Sequence, residues 1–96
     1  MDIDKKLGMF LGLAIGDALG APLEFQKSRD PQNYLTHYSS GGPHNVSVGE
    51  WTDDTSMALA LAKSLIEKKM FDADDIMNKF CLWFQQGKYC TRDKCF

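Results

Sequence analysis

The chain has 96 residues, 44% hydrophobic and 25% charged, which allows one domain at most, with a modest core. Eleven Lys and Arg against thirteen Asp and Glu leave a formal charge of −2, so nothing electrostatic points to nucleic acid or an anionic membrane as partner. Charges alternate in sign, and there is no internal repeat or low-complexity tract.

Residues from about Asp4 to Gly20 read as a first helix, with Leu7, Phe10, Leu11, Ala14, Ile15, Ala18 and Leu19 apolar and Asp2 or Asp4 able to cap it. The run Leu7–Leu19 resembles a signal-peptide core. Asp2 and Asp4 offset Lys5 and Lys6 before it, Asp17 interrupts it, and it is too short to span a bilayer, so a soluble, cytoplasmic protein is expected. Gly8, Gly12, Gly16 and Gly20 lay a side-chain-free strip along one face. Each interior glycine costs about 1 kcal/mol relative to alanine, which demands an offset in a helix–helix seam, a bound ligand or both. Asp17 lies beside this strip near the helix C-terminus, where the dipole disfavours an anion, and so needs a cation or backbone donors. Ala21-Pro22 ends the helix and leaves Glu24 in the exit turn, where a lone glutamate is ordinarily solvated surface.

From Gln26 to Glu50 no regular period persists, and Arg29-Asp30-Pro31, Ser39-Ser40-Gly41-Gly42-Pro43 and Val48-Gly49 are turn signals. Loops of this length are either binding loops or disordered. Tyr34 and Tyr38 favour a loop that packs down, and His37 and His44 read as loop hydrogen-bonders.

Trp51-Thr52-Asp53-Asp54-Thr55-Ser56-Met57 follows, with two adjacent carboxylates between two threonine hydroxyls at a helix entrance. Two readings are open. Four hard oxygen donors suit a divalent cation such as Mg²⁺, Mn²⁺ or Ca²⁺. Alternatively, Thr52 or Asp53 merely caps the helix, with acidic residues in its first turn favoured by the dipole. That helix runs from about Asp54 to Lys69, with Ala58, Leu61, Ala62, Leu65 and Ile66 as its apolar stripe and Lys63, Glu67, Lys68 and Lys69 on the wet side. Asp72 begins a third helix, with Asp74 and Asp75 in its first turn, Ile76, Met77, Phe80, Cys81 and Phe84 apolar, and Gly87 past its end. The Asp72–Asp75 cluster lacks flanking hydroxyls and reads as structural only. Cys81 falls on the apolar face as a buried thiol. Cys90 and Cys95 could pair, or bind zinc with His37 and His44, but the spacing fits no standard zinc pattern, and a reducing cytoplasm is the default.

Gly12-Leu13-Ala14-Ile15-Gly16-Asp17-Ala18-Leu19-Gly20-Ala21-Pro22-Leu23-Glu24-Phe25, followed by Trp51-Thr52-Asp53-Asp54-Thr55-Ser56-Met57, resembles the N-terminal part of the ADP-ribosylglycohydrolase family. The tail from Gly87-Lys88-Tyr89 to Cys95-Phe96 is also similar, so the resemblance runs over essentially the whole chain. It implies an all-α fold, here about three helices with a long loop between the first and second, and a binuclear Mg²⁺ or Mn²⁺ site. It implies hydrolysis of the bond joining ADP-ribose to a protein side chain or a small acceptor. By the same resemblance Thr52, Asp53 and Asp54 are metal ligands, Glu24 takes part in catalysis, and Asp17 and Thr55 support the ligands from behind. Family members are several times longer, and their second ligand set, Asp-x-Asp-Thr, has no counterpart here: Asp93 is the only acidic residue after Asp75. Residues 1–96 are therefore expected to form the N-terminal part of a single, truncated domain with exposed apolar faces.

The first hypothesis is thus a metal-dependent ADP-ribosyl hydrolase acting on an ADP-ribosylated protein or small conjugate. The alternative is a catalytically silent helical module that self-associates, binds ADP-ribose or binds a complementing chain. A Ca²⁺ buffer is disfavoured because no EF-hand spacing exists.

Overall fold

A computed structural model describes residues 2–28 and 32–95; the Arg29-Asp30-Pro31 turn signal and Phe96 lie outside the described residues. The fold is all-α. Helices α1 (Ile3–Gly20), α2 (Asp53–Lys68) and α3 (Ala73–Gln86) are joined by a 3-10 turn at Ala21–Leu23 and irregular segments, with no strand among the described residues. The chain divides into two compact units, Met1–Trp51 and Thr52–Phe96.

In the first unit Asp2 caps α1, its Oδ1 accepting from the Lys5 amide at 2.9 Å. The helix tightens into the 3-10 turn where Pro22 enters, since proline cannot donate to a further α-turn. The helical run Ile3–Leu23 has 21 residues and is predominantly apolar. That is long and apolar enough to cross a membrane by length and composition alone, which corrects the expectation that this segment is too short. Residues 3–6 ahead of the run 7–19 and residues 20–23 behind it supply the added length, and core helices of soluble proteins pass the same test. A Cβ built on Gly8, Gly12, Gly16 or Gly20 meets nothing within 4 Å, so no described residue of this chain uses the strip. Leu7, Leu11 and Ile15 are exposed, whereas Ala18, Ala21 and Pro22 are buried.

The loop is anchored by its last third. Gly41 and Val46 form an isolated antiparallel bridge, each amide donating to the other's carbonyl at 2.8 and 3.0 Å, and Val46 is 2% exposed. Tyr34 and Tyr38 are exposed, so the tyrosines do not hold the loop down as expected.

In the second unit α2 packs on α3. The face of α2 that is buried is not the aliphatic stripe. Ser56, Ala60 and Ser64, four residues apart, are fully buried, while Leu61, Leu65 and Ile66 are exposed. Small side chains permit close helix approach, and the two serines satisfy their hydroxyls: Ser56 Oγ donates to the Tyr89 carbonyl at 3.0 Å and Ser64 Oγ to Asp75 Oδ2. On α3 the buried residues are Ile76 and Lys79. Met77 and Phe84 are exposed, and so is Cys81, which corrects its expected place as a buried thiol. The packing surface of α3 is centred on the row through Asp75, Ile76 and Lys79, and Cys81 lies off it. Cys81, Cys90 and Cys95 are all free.

Candidate functional site

Glu24 follows the 3-10 turn directly, its amide donating to the Ala21 carbonyl at 3.2 Å. It is not solvated surface. Its Oε2 accepts from His44 Nε2 at 2.8 Å, with side-chain exposures of 38% for Glu24 and 26% for His44. The next residue, Phe25, sits in the left-handed region at φ 66°. That conformation costs a side-chain-bearing residue about 1–2 kcal/mol, so the turn presenting Glu24 is held by its surroundings. His44 thus bears out its reading as a loop hydrogen-bonder. His37 is exposed and, among the described residues, pairs with its neighbour, Thr36 Oγ1 lying 3.2 Å from Nδ1.

Thr52 occupies the N-cap position of α2, in extended backbone and 2% exposed, yet its side chain makes no capping hydrogen bond. Asp2 on α1 and Asp72 on α3 both cap by side chain; Asp72 Oδ1 accepts from the Asp75 amide at 3.0 Å. Asp53 is half-buried and Asp54 exposed in the first turn, and Thr55 is buried behind them. Neither Thr52, Asp54 nor Thr55 is without a partner. The donors at this entrance are all hard oxygens, the type that Mg²⁺ and Mn²⁺ take, and a buried hydroxyl not used for capping fits such a ligand set. Among the described residues no three or more His, Cys, Asp or Glu side chains come together as a metal cluster.

The structure thus brings Thr52, Asp53, Asp54 and Thr55 together in the second unit. Asp17, half-buried near the end of α1, and Glu24 belong to the first. Asp72–Asp75 is structural, as expected: Asp75 Oδ2 accepts from Ser64 and from Lys79 Nζ at 2.8 Å, and Lys79 also reaches Glu67 Oε2 at 3.1 Å. These bonds, that from Lys79 first, hold the Asp75 carboxyl below its ordinary range, and the Lys79 hydrogen bond does the same for Glu67. Lys79 is held above its usual value, first by the bond to Asp75. Sequence reasoning missed the His44–Glu24 pair and this network. The signal available for the network was the spacing of opposite charges four residues apart, Lys63 and Glu67 on α2 and Asp75 and Lys79 on α3.

A model of the ADP-ribosylglycohydrolase family matches residues 2–96. The chain is 42% identical over 94 residues to an ADP-ribosylarginine hydrolase, Tri1, of Pseudomonas putida, covering 98% of this chain and 25% of that protein. It is 44% identical over 97 residues to the ADP-ribosyl-[dinitrogen reductase] glycohydrolase of Rhodospirillum rubrum, covering 93% of this chain and 33% of that one. A solved structure described as an ADP-ribosylglycohydrolase-related protein complex superposes with a TM-score of 0.74 at 46% identity, covering 88% of this chain and 29% of the other. The chain therefore spans about a quarter to a third of the length of the relatives it matches. On a family match that takes in α1, the Glu24 turn, the Thr52–Asp54 helix entrance and α3 alike, the chain belongs to the ADP-ribosylglycohydrolase family.

Proposed function

We propose that this chain supplies Glu24 and one metal-ligand set, Thr52, Asp53 and Asp54, to a Mg²⁺- or Mn²⁺-dependent hydrolase that releases ADP-ribose from a modified protein side chain or a small acceptor. The observation that carries the reading is the contrast between helix entrances: Asp2 and Asp72 cap by side chain, and the buried Thr52 does not. When bound, two such cations orient ribose hydroxyls and lower the pKa of a water. The protein's own part is positional and protonic. Thr52, Asp53 and Asp54 would offer oxygens to the cation, with Thr55 buried behind them. In hydrolysis the water oxygen bonds to the anomeric carbon as the bond to the acceptor breaks. Glu24 takes the proton that the water gives up and passes it to the acceptor as the acceptor leaves, which restores the carboxylate. The relatives' names, which specify ADP-ribosylarginine and ADP-ribosylated dinitrogen reductase, favour a modified protein as substrate. Three free thiols suit a reducing cytoplasm.

A thermal-unfolding titration with Mg²⁺ and Mn²⁺, with and without ADP-ribose, tests this reading. A ligand bound only by the folded state stabilises it by about 2.7 kcal/mol at a hundredfold excess over Kd. A metal-dependent rise in Tm that vanishes in Asp53→Asn/Asp54→Asn is expected; equal curves for both proteins refute the ligand set. A second reading, a self-associating helical module, is favoured by the exposure of Ile66, Met70, Phe71, Met77 and Phe84. Concentration-dependent sedimentation without metal-dependent stabilisation would select it.

A further inference from the structure

Glu24 is held by one side chain. His44 Nε2 lies 2.8 Å from Glu24 Oε2, and no described residue makes a hydrogen bond to Oε1. An ionised carboxylate only accepts, so Nε2 carries the proton of this bond and the ring is oriented with that edge toward Glu24. One oxygen is tied and the other is open. This is how a proton-transfer carboxylate is set by a third group.

The backbone around His44 is built to keep it there. Gly42 sits at φ 75°, and a Cβ on it would fall 2.7 Å from the Pro22 Cα and carbonyl oxygen. The turn carrying His44 therefore lies directly against the turn that presents Glu24, a closeness that glycine alone permits. The Gly41–Val46 bridge closes the turn on both sides of His44, the Asn45 amide donates to the Gly42 carbonyl at 3.0 Å, and Val46 is buried beyond it. Two segments separate in sequence thus converge on one contact: the turn from Pro22 to the strained Phe25, and the bridged turn Gly41–Val46 with Gly42 at the point of approach.

We propose that His44 is the positioning residue for Glu24, fixing the carboxylate through Nε2–H···Oε2 so that Oε1 faces the proton to be transferred. This rests on the hydrolase reading above, because it presupposes that Glu24 handles that proton. His44 touches no reacting atom itself. Its loss therefore acts on turnover and leaves substrate capture and folding nearly intact.

The test compares wild type, Glu24→Gln, His44→Ala and His44→Gln with Mn²⁺ and an ADP-ribosylated arginine peptide, reading kcat, KM and Tm, together with long-range ¹H–¹⁵N imidazole spectra recorded without metal. For His44→Ala, kcat is expected to fall about ten- to a hundredfold, as for other outer partners of site residues, with KM and Tm little changed. His44→Gln, whose amide can still donate, is expected to recover much of that loss. The imidazole spectrum is expected to show an Nε2-protonated ring whose shifts change in Glu24→Gln. If wild type turns over, Glu24→Gln does not, and His44→Ala matches wild type, the positioning role is overturned while the hydrolase reading stands. A His44→Ala loss that tracks a fall in Tm and is not recovered by His44→Gln also overturns it. Imidazole shifts that are the same in wild type and Glu24→Gln overturn the role of His44 whether or not this chain turns over by itself.

Discussion

Ser64 on α2 donates a hydrogen bond of 2.5 Å to Asp75 Oδ2 on α3, the same oxygen that receives Lys79 Nζ at 2.8 Å. The helix pair is thus joined by a polar bond at a position with no exposed surface, Ser64 being 0% exposed. A buried hydroxyl bonded to a carboxylate contributes more than its solvent-exposed counterpart, because water cannot replace the lost partner. Ser64→Ala is expected to cost about 1 kcal/mol, and on that basis to lower Tm by about 4–8 °C. Circular-dichroism melts of the two proteins check this. An unchanged Tm would mean that the Lys79–Glu67 pair and the packing around Ala60 hold α2 to α3 without this bond.

The same network sets an acid limb. The folded-state values of Asp75 and Glu67 are depressed, in both cases chiefly by the hydrogen bond from Lys79. Depressed carboxylates stabilise the fold fully above their unfolded values, ordinarily 3.8 and 4.5, and lose that contribution as pH falls through the lower folded values. Lys79 is raised above 10.5, so its contribution is present below that pH and is lost as pH climbs through the folded value. Urea unfolding of wild type and Lys79→Met between pH 2 and 7 is expected to show a steeper acid loss in wild type. Parallel curves would remove Lys79 as the cause.

Gly41 and Gly42 separate backbone strain from contact. Both have positive φ, 106° and 75°, but a Cβ on Gly41 meets nothing whereas one on Gly42 meets Pro22 backbone. Gly41→Ala is expected to carry only the left-handed cost, about 1–2 kcal/mol. Gly42→Ala carries that cost and a collision, so it is expected to be the less stable of the two and to detach His44 from Glu24. Denaturant titrations rank them, and the imidazole shifts of His44 report the detachment.

What the sequence made legible was local. Asp2, Asp72 and Gly87 mark helix ends within one residue because capping and left-handed closure depend only on neighbouring backbone. The partner choice of each helix was not legible. The apolar stripe of α2 through Leu61, Leu65 and Ile66 has the right period for a core face, yet the fully buried residues are Ser56, Ala60 and Ser64, of which Ser64 bonds Asp75 on α3 and Ser56 bonds Tyr89 beyond it. Periodicity reports that a face is apolar, and says nothing of which residues come closest when small side chains let two helices approach. Glu24 could be singled out from the motif, but its orientation by His44 depends on a turn twenty residues on. No local pattern encodes that contact.

The glycine strip of α1 offers a prediction of opposite sign to the others. With nothing within 4 Å of Gly12, alanine there is expected to stabilise this chain by up to about 1 kcal/mol through helix propensity alone. A Gly12→Ala protein that melts lower than wild type would show that the strip is in close contact with something in solution.

The two acidic helix entrances can be separated by one pair of substitutions. Asp72 caps α3 by side chain, so Asp72→Ala is expected to cost about 1 kcal/mol whether or not metal is present, and to leave any metal-induced rise in Tm intact. Among the described residues the Asp53 side chain has no hydrogen-bond partner, so Asp53→Asn is expected to change the metal-free Tm little, by no more than the few tenths of a kcal/mol of a dipole interaction. With Mn²⁺ present the order reverses, because Asp53→Asn loses a charged ligand oxygen and with it the stabilisation by bound cation. Melts of the three proteins with and without Mn²⁺ decide it. If both variants lose the metal response equally, the cation is held by general negative charge; if neither does, it binds away from the Thr52–Asp54 entrance.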